Sequence, residues 1–181
     1  MRGGALGPHF GRLQFAALAA AVCMAVMVFA GCGYHFAGDR NPVVAIQSVH
    51  IPPMTNTTTK VGIETLFTND LIFEVNRHGE VAVVGREAAD AVLEGVIRDL
   101  YTGSVSRRSI TTTLERRVSV TVVLTLKSRS GKVLWQARLA DSEAYTVLAD
   151  KTSTEGNLRR ALAVVSRRIA EKFHYRFNAS F

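Results

Sequence analysis

The most constraining feature of this sequence is the regular alternation of apolar and polar side chains over Arg117–Lys127. Valine or leucine occupies every second position, which is typical of a strand with one face in a hydrophobic core. Val123 is an apolar exception on the opposite face. Ser130-Gly131-Lys132 then predicts a turn into a second strand over Val133–Ala140, with Trp135 as its inward anchor. These segments predict a β-hairpin whose apolar face other elements must cover.

Two amphipathic helices are predicted, one before and one after the strand-rich region. The first is predicted to start at the N-cap hydroxyls of Thr57–Thr59 and to end at Gly79, which suits a left-handed C-cap. The second is predicted to start at Thr152, because Thr152-Ser153-Thr154-Glu155 fits a capping box. Their apolar stripes have helical spacing. The stripes comprise Ile63, Leu66, Phe67, Leu71 and Val75 in the first helix, and Leu158, Leu162, Val165, Ile169 and Phe173 in the second.

Three further segments are predicted as strands, namely Val43–Ile51, the short Glu80–Val84, and Ala91–Tyr101. Pro52-Pro53 ends the first of them, because proline cannot donate to a strand ladder. The order of elements predicts an α+β fold, a two-layer sandwich in which two helices pack on one face of a roughly four-stranded mixed sheet. The strand order stays open, because Ala140–Val147 allows more than one pairing.

The start of the sequence has the layout of a lipoprotein signal peptide. Arg2 and Arg12 form a basic region, Leu13–Ala30 is almost wholly apolar, and Phe29-Ala30-Gly31-Cys32 predicts cleavage before Cys32 and its lipidation. A membrane-spanning anchor is the alternative, since the run approaches the roughly 20 residues that a spanning helix needs. The predicted divisions are a signal peptide at 1–31, a lipidated spacer at 32–42 and a single α+β domain at 43–181.

Cysteine content and charge narrow the class of protein. The only other cysteine, Cys23, would leave with the signal peptide, so the mature chain has no disulfide and Cys32 serves as an anchor. Without Arg2 and Arg12, the 22 basic residues fall to 20 against 15 acidic ones, a net charge of +5. A basic domain suits an anionic surface or ligand. Export argues against nucleic acid as that ligand.

Several segments of the sequence resemble the LPS-assembly lipoprotein family LptE. They are Gly31-Cys32-Gly33-Tyr34-His35-Phe36, Ile51-Pro52-Pro53-Met54-Thr55-Asn56, Asp90-Ala91-Val92-Leu93-Glu94-Gly95, Gly131-Lys132-Val133-Leu134-Trp135 and the closing helix. The resemblance implies two helices on a four-stranded sheet. It further implies a plug and assembly factor for the LptD β-barrel that binds lipopolysaccharide on its way to the outer leaflet, without catalysis.

The resemblance also implies which basic residues contact lipopolysaccharide. Arg107 and Arg108 fall in the loop between the third and fourth strands of the family pattern, and Lys151 falls just before the last helix. Ordinary solvent-facing charges are the alternative for all three. Second-rank candidates near strand ends are Arg116, Arg117, Arg129 and Lys132. Gly33, in place of the aspartate that favours inner-membrane retention, implies sorting to the outer membrane, facing the periplasm and within the partner barrel.

No enzyme signature is apparent in the sequence. The histidines His9, His35, His50, His78 and His174 are scattered, with no two at helical metal-ligand spacing. We therefore predict no catalytic residue, cofactor or metal. The alternative function is a different outer-membrane lipoprotein module, one that regulates or assembles a cell-wall enzyme or a secretion pore.

Overall fold

The computed structural model of the protein describes residues 46–104 and 114–180. The predicted signal peptide, the spacer with Cys32, and Arg107 and Arg108 lie outside the described residues. The described elements, in chain order, are β1 Ser48–His50, β2 Thr55–Asn56, α1 Ile63–His78, β3 Ala82–Val83, β4 Ala91–Ser104, β5 Leu114–Ser128, β6 Val133–Val147 and α2 Lys151–Asn178.

The strands form one mixed sheet in the order β3-β1-β4-β5-β6, and β2 also pairs with β4. The three long strands β4, β5 and β6 pair antiparallel with one another, whereas β1 and β2 run parallel to β4. The predicted α+β class is confirmed, with six strands in the described residues rather than about four. The difference arises at the β4 side of the sheet, where β1, β2 and β3 contribute only two or three residues each.

The alternation on β5 places its apolar side chains in the core, as predicted. Its inward residues Val118, Val120, Val122, Leu124 and Leu126 are 0–1% exposed. Phe67 and Leu71 of α1 and Leu162 and Val165 of α2 are buried in the same cluster. Both predicted helical stripes are therefore confirmed, and the two helices cover one face of the sheet. Full burial of such side chains contributes roughly 1.5–3 kcal/mol each.

The two helices start at different residues from those predicted. Gly62, with φ of 88°, precedes α1 and makes no side-chain cap. Thr57 does not cap α1. Its backbone N–H and its hydroxyl both donate to the carbonyl oxygen of Ile97 instead, at 3.0 and 2.8 Å. Asp150, not Thr152, caps α2, since its carboxylate accepts from the backbone N–H groups of Thr152 and Ser153 at 3.3 and 2.7 Å.

Two of the motif segments pack directly on each other. A Cβ atom at Gly95 would lie 2.6 Å from Cγ of Met54, so no larger residue fits there without movement. The backbone N–H of Met54 donates to the hydroxyl of buried Thr68 on α1, at 2.9 Å. These contacts tie the β1–β2 segment to both the sheet and the first helix, which explains why glycine ends the Asp90–Gly95 motif.

The hairpin and the last strand follow the sequence prediction and extend it. Gly131 adopts φ of 85° in the turn, and β6 continues past Ala140 to Val147. Trp135 lies on the helix-covered face, with its ring centroid 5.6 Å from that of Phe173 and 5.7 Å from that of Phe177. Within residues 46–104 and 114–180, no helix has the length and apolar character required to cross a membrane.

Candidate ligand-binding end

Strand register brings three of the predicted basic residues to one end of the sheet. Leu114, the first residue of β5, is opposite Val147, the last residue of β6, and Lys151 opens α2 shortly after it. Ser104, the last residue of β4, is opposite Arg116. We call this end of the sheet, with Arg116 and Arg117 on β5 and Lys151 at the start of α2, the basic end. Arg107 and Arg108 fall between Ser104 and Leu114 in the sequence, outside the described residues.

The three cations of the basic end are exposed to solvent. Arg116, Arg117 and Lys151 are all exposed, and none makes a side-chain hydrogen bond or a salt bridge within residues 46–104 and 114–180. Arg116 is opposite Tyr145 on the helix-covered face, whereas Arg117 is opposite Ala144 on the other face. Cations therefore lie on both faces of the sheet near the start of β5, with exposed donors that can bind an anion.

A fourth cation near the same end is already paired. Lys60, which precedes α1, donates to Glu155 in the first turns of α2. The hydrogen bond from Lys60 is the chief reason that the pKa of Glu155 lies below its usual value. Arg159 approaches the same carboxylate at 3.9 Å. This ion pair joins the N-terminal ends of the two helices and leaves Lys60 a structural role.

The remaining candidates, Arg129 and Lys132, lie at the opposite end, which we call the hairpin end. β5 spans 15 residues, which corresponds to about 50 Å at about 3.3 Å per residue. Arg129 donates to the carbonyl oxygens of Ala89 and Glu87 at 2.6 and 3.2 Å. Arg129 and Lys132 therefore do not share a site with Lys151, and Arg129 holds the connection before β4.

Asp90, the first residue of its motif, also acts at the hairpin end. Its carboxylate accepts from the hydroxyl of Ser48 at 2.7 Å and from the backbone N–H groups of Gln47 and Ser48. The hydrogen bond from the Ser48 hydroxyl is the main cause that holds the pKa of Asp90 below its ordinary value. Asp90 thus fastens β1 beside β4, a structural role that its position in the sequence did not indicate.

Sequence reasoning did not foresee a second feature of the hairpin end, a pair of stacked histidines. The rings of His78, at the end of α1, and His174 on α2 lie 3.4 Å apart between centroids and 8° from parallel. Glu74 contacts His78 at 3.1 Å and Arg77 at 3.0 Å. Among the described residues no three potential ligands converge on a metal site. The stack joins the C-terminal ends of the helices, so α1 and α2 run parallel.

The face of the sheet that the helices leave open carries two inter-strand ion pairs among polar and valine side chains. Glu94 pairs with Lys127 at 2.6 Å, and Asp99 pairs with Arg138 at 3.3 Å. Val123, the apolar exception in the sequence, is partly buried there. These ion pairs contrast with Arg117 of the basic end, which lies on the same face and makes no salt bridge within residues 46–104 and 114–180.

Comparison with known proteins gives a family match that spans this whole arrangement. The family model described as "LptE: Lipopolysaccharide-assembly" matches residues 46–177. The chain belongs to the LptE family. The match covers the entire described sheet, α1 and all but the last residue of α2, and it includes Lys151, Arg116 and Arg117.

Solved structures similar to this LptE-family chain are lipoproteins of low sequence identity. The minor lipoprotein of Acinetobacter baumannii has a TM-score of 0.53 and 14% identity, over 74% of this chain and 92% of that chain. The rare lipoprotein B of Shewanella oneidensis has a TM-score of 0.48 and 12% identity, over 74% and 95% of the two chains. The first of these supports the fold alone. No curated protein sequence matches the chain.

Proposed function

We propose that this LptE-family chain is an outer-membrane lipoprotein that partners an LptD-type β-barrel as plug and assembly factor. In this role it binds lipopolysaccharide during insertion into the outer leaflet and catalyses no reaction. The observation that carries the proposal is the family match over residues 46–177, which includes every described helix and strand except the last residue of α2.

The anchor is the lipid on Cys32. The apolar run before this cysteine and the small residues beside it are typical of a processed lipoprotein signal peptide. A single acyl chain binds a bilayer only marginally, so stable attachment calls for the several chains that lipoprotein maturation adds at one cysteine. We expect incorporation of labelled palmitate into the wild-type chain. Cys32→Ser should abolish that incorporation and release the chain from the membrane; continued labelling would contradict the assignment.

The ligand site is the basic end. The phosphate groups of lipid A are anionic, and arginine binds phosphate oxygens through two parallel hydrogen bonds while lysine acts as a compact charge. Arg116 and Arg117 near the start of β5 and Lys151 at the start of α2 are exposed, and they make no side-chain hydrogen bond or salt bridge within residues 46–104 and 114–180. Arg107 and Arg108 are assigned to the same site because they belong to the sequence between Ser104 and Leu114.

The barrel partner is expected to meet the open face of the sheet. The interior of a transmembrane β-barrel is polar, so a plug must present groups that tolerate water and hydrogen bonding. The pairs Glu94–Lys127 and Asp99–Arg138 give this face such a character. The helix-covered face is unsuitable, because its apolar side chains are already buried.

Co-purification from envelope extracts tests the proposal. An affinity-tagged full chain, extracted in mild detergent, should retain a large outer-membrane β-barrel and lipopolysaccharide through successive columns. Cys32→Ser, which lacks the anchor, is the control for recovery that depends on the membrane. Recovery of a peptidoglycan synthase or a secretin, with no large β-barrel, would refute this function and favour the alternative lipoprotein module.

A further inference from the structure

The sheet has one long free edge in the described structure, that of β6. β6 spans 15 residues and pairs with β5 on one side only. In an antiparallel ladder, alternate residues direct their backbone N–H and C=O groups to the same side. A free edge of this length is a template on which another strand can pair, and proteins usually block such edges.

Side chains of α2 hydrogen-bond to carbonyl groups along this edge. Arg176 donates to the carbonyl oxygen of Arg138 at 3.0 Å, and Lys172 donates to that of Ala140 at 2.8 Å. Asn157 donates to the carbonyl oxygen of Thr146, also at 2.8 Å. The three acceptors are all at even-numbered positions of β6, so they belong to the side that faces away from β5. The helix therefore occupies acceptors that an incoming strand would need.

Two ion pairs join the same side of α2 to β6, and one of them holds the donor Lys172. Lys172 contacts the carboxylate of Asp141 at 2.8 Å, and Arg168 contacts that of Glu143 at 2.7 Å. Arg168, Lys172 and Arg176 follow one another at four-residue intervals, which puts them on one side of the helix. Asp141 also accepts from the backbone N–H of Ser142 at 2.6 Å, which occupies a donor of the same edge.

The centre of β6 has no side chain on the open face that would block the pairing of another strand. Ala140, Ser142 and Ala144 are small and uncharged. Charged, bulky or proline residues on an edge strand are the usual means of preventing pairing. Here that task falls to α2, which reaches the edge from the other face of the sheet.

We propose that the free edge of β6 is a latent strand-pairing surface for a second copy of this chain, and that Lys172 and Arg176 keep it closed. Two copies present identical edges, so a two-fold axis allows each β6 to pair with the other in antiparallel orientation. The closed edge keeps the chain monomeric. This inference stands independently of lipopolysaccharide binding, because the guarding residues lie on the β6 side of α2 and not at the basic end.

The test compares two double variants that each remove two positive charges from α2. In Lys172→Met with Arg176→Met, the carbonyl oxygens of Ala140 and Arg138 lose their side-chain donors, because methionine has no N–H group. In Arg159→Met with Arg167→Met, the same charge is lost from positions with no hydrogen bond or salt bridge to β6 among the described residues. Molar mass is measured by light scattering on the full chain in detergent, over a hundredfold range of concentration, with circular dichroism as the check of folding.

We expect the first variant to self-associate at least tenfold more tightly than the wild type, while the second stays monomeric. Adding Ala144→Pro to the first variant should restore the monomer, because proline at an outward-facing position blocks edge pairing without removing a β5 hydrogen bond. A folded first variant that stays monomeric would overturn the proposal, as would association that persists with Ala144→Pro. If the double variant does not fold, Arg176→Met alone is judged by the same two outcomes.

Discussion

The two ends of the sheet use the same residue types for different purposes. At the hairpin end, Arg129 donates to two backbone carbonyl groups and Lys127 pairs with Glu94. At the basic end, Arg116 and Lys151 are exposed and make no side-chain hydrogen bond or salt bridge within residues 46–104 and 114–180. A cation whose donors are satisfied internally supports the fold, whereas one left to solvent at a strand terminus is available to an anionic ligand.

The apolar side chains follow the same division. Trp135, Phe173 and Phe177 pack against one another at the hairpin end, where the two phenylalanine rings lie 5.3 Å apart between centroids. At the basic end, Leu114 and Leu148 are 50% and 48% exposed. The apolar side chains at the basic end are therefore less tightly packed than the aromatic side chains at the hairpin end. The comparison predicts that substitutions at the first end change stability and that substitutions at the second change binding.

The largest effect on stability is expected from Trp135→Ala at the hairpin end. It removes two edge-to-face aromatic contacts and leaves a cavity beside Phe173. We expect a loss of about 3 kcal/mol in the free energy of unfolding, measured by urea denaturation. Val133→Ala, an exposed position on the same strand, is the matched control and should stay within about 0.5 kcal/mol of the wild type. A loss of lipopolysaccharide binding by folded Trp135→Ala would contradict the division between the two ends.

Charge reversal at the basic end should weaken binding without unfolding the chain. Charge-assisted hydrogen bonds contribute about 1.5–3 kcal/mol each, so Arg116→Glu with Arg117→Glu and Lys151→Glu should weaken lipopolysaccharide binding by about tenfold or more. Binding is measured by retention of fluorescent lipopolysaccharide on the purified full chain. The matched control is Lys132→Glu, because this cation is also exposed but lies at the hairpin end. Equal losses in both variants would show that the basic end is not the site.

The corresponding substitution for the loop is Arg107→Glu with Arg108→Glu. The family resemblance predicts that this pair weakens lipopolysaccharide binding as much as Lys151→Glu does. Both variants should keep the wild-type melting temperature, since neither affects a buried group of the described fold. Unchanged binding in the loop variant, with reduced binding in Lys151→Glu, would restrict the site to the strand termini.

Arg129→Ala should have a smaller, purely structural effect. It removes the hydrogen bonds to Ala89 and Glu87, and we expect a loss of about 1 kcal/mol in the free energy of unfolding. Lipopolysaccharide binding should stay at the wild-type level. Arg129→Lys keeps the charge but not the forked donor geometry, so only partial recovery of stability is expected. Full recovery would mean that charge alone, and not the two hydrogen bonds, is what Arg129 contributes.

Local periodicity explains why so much of the fold was predictable from the sequence. The β5 alternation and both helical stripes depend on side chains a few positions apart, and burial then follows from the pattern. Helix starts were less predictable, because tertiary contacts decide them. Thr57 donates to Ile97 instead of capping α1, and that partner lies on another element. The pairing of β2 with β4 also depends on tertiary contacts, and no local sequence pattern predicts it.

The candidate site was predictable only in its residue types. The sequence singled out Lys151, Arg116, Arg117, Arg129 and Lys132, but the strand register separates the first three from the last two. The sequence alone did not predict that register, because it allowed more than one pairing for Ala140–Val147. The stacked His78 and His174 come from two helices, and their contact depends on helix packing. The assignments of Cys32, Arg107 and Arg108 remain predictions for the experiments above.

The smallest expected effect on stability is that of substituting Asp150. This residue lies at the basic end, but its carboxylate caps α2 and so supports the fold. Hydrogen bonds from the side chain and backbone of Ser153 are the main causes that hold the pKa of Asp150 below its ordinary value. A carboxylate with a lowered pKa in the folded state stabilises the fold above its unfolded-state pKa, and this contribution is lost as pH falls through the folded-state value. Asp150→Ala should therefore slightly lower the melting temperature at pH 7 and flatten its decrease between about pH 5 and pH 2. Asp150→Ser, which keeps a capping oxygen without the titrating group, should recover most of the melting temperature but not the acid dependence. An unaltered acid dependence in both variants would show that Asp150 is not a cap in solution.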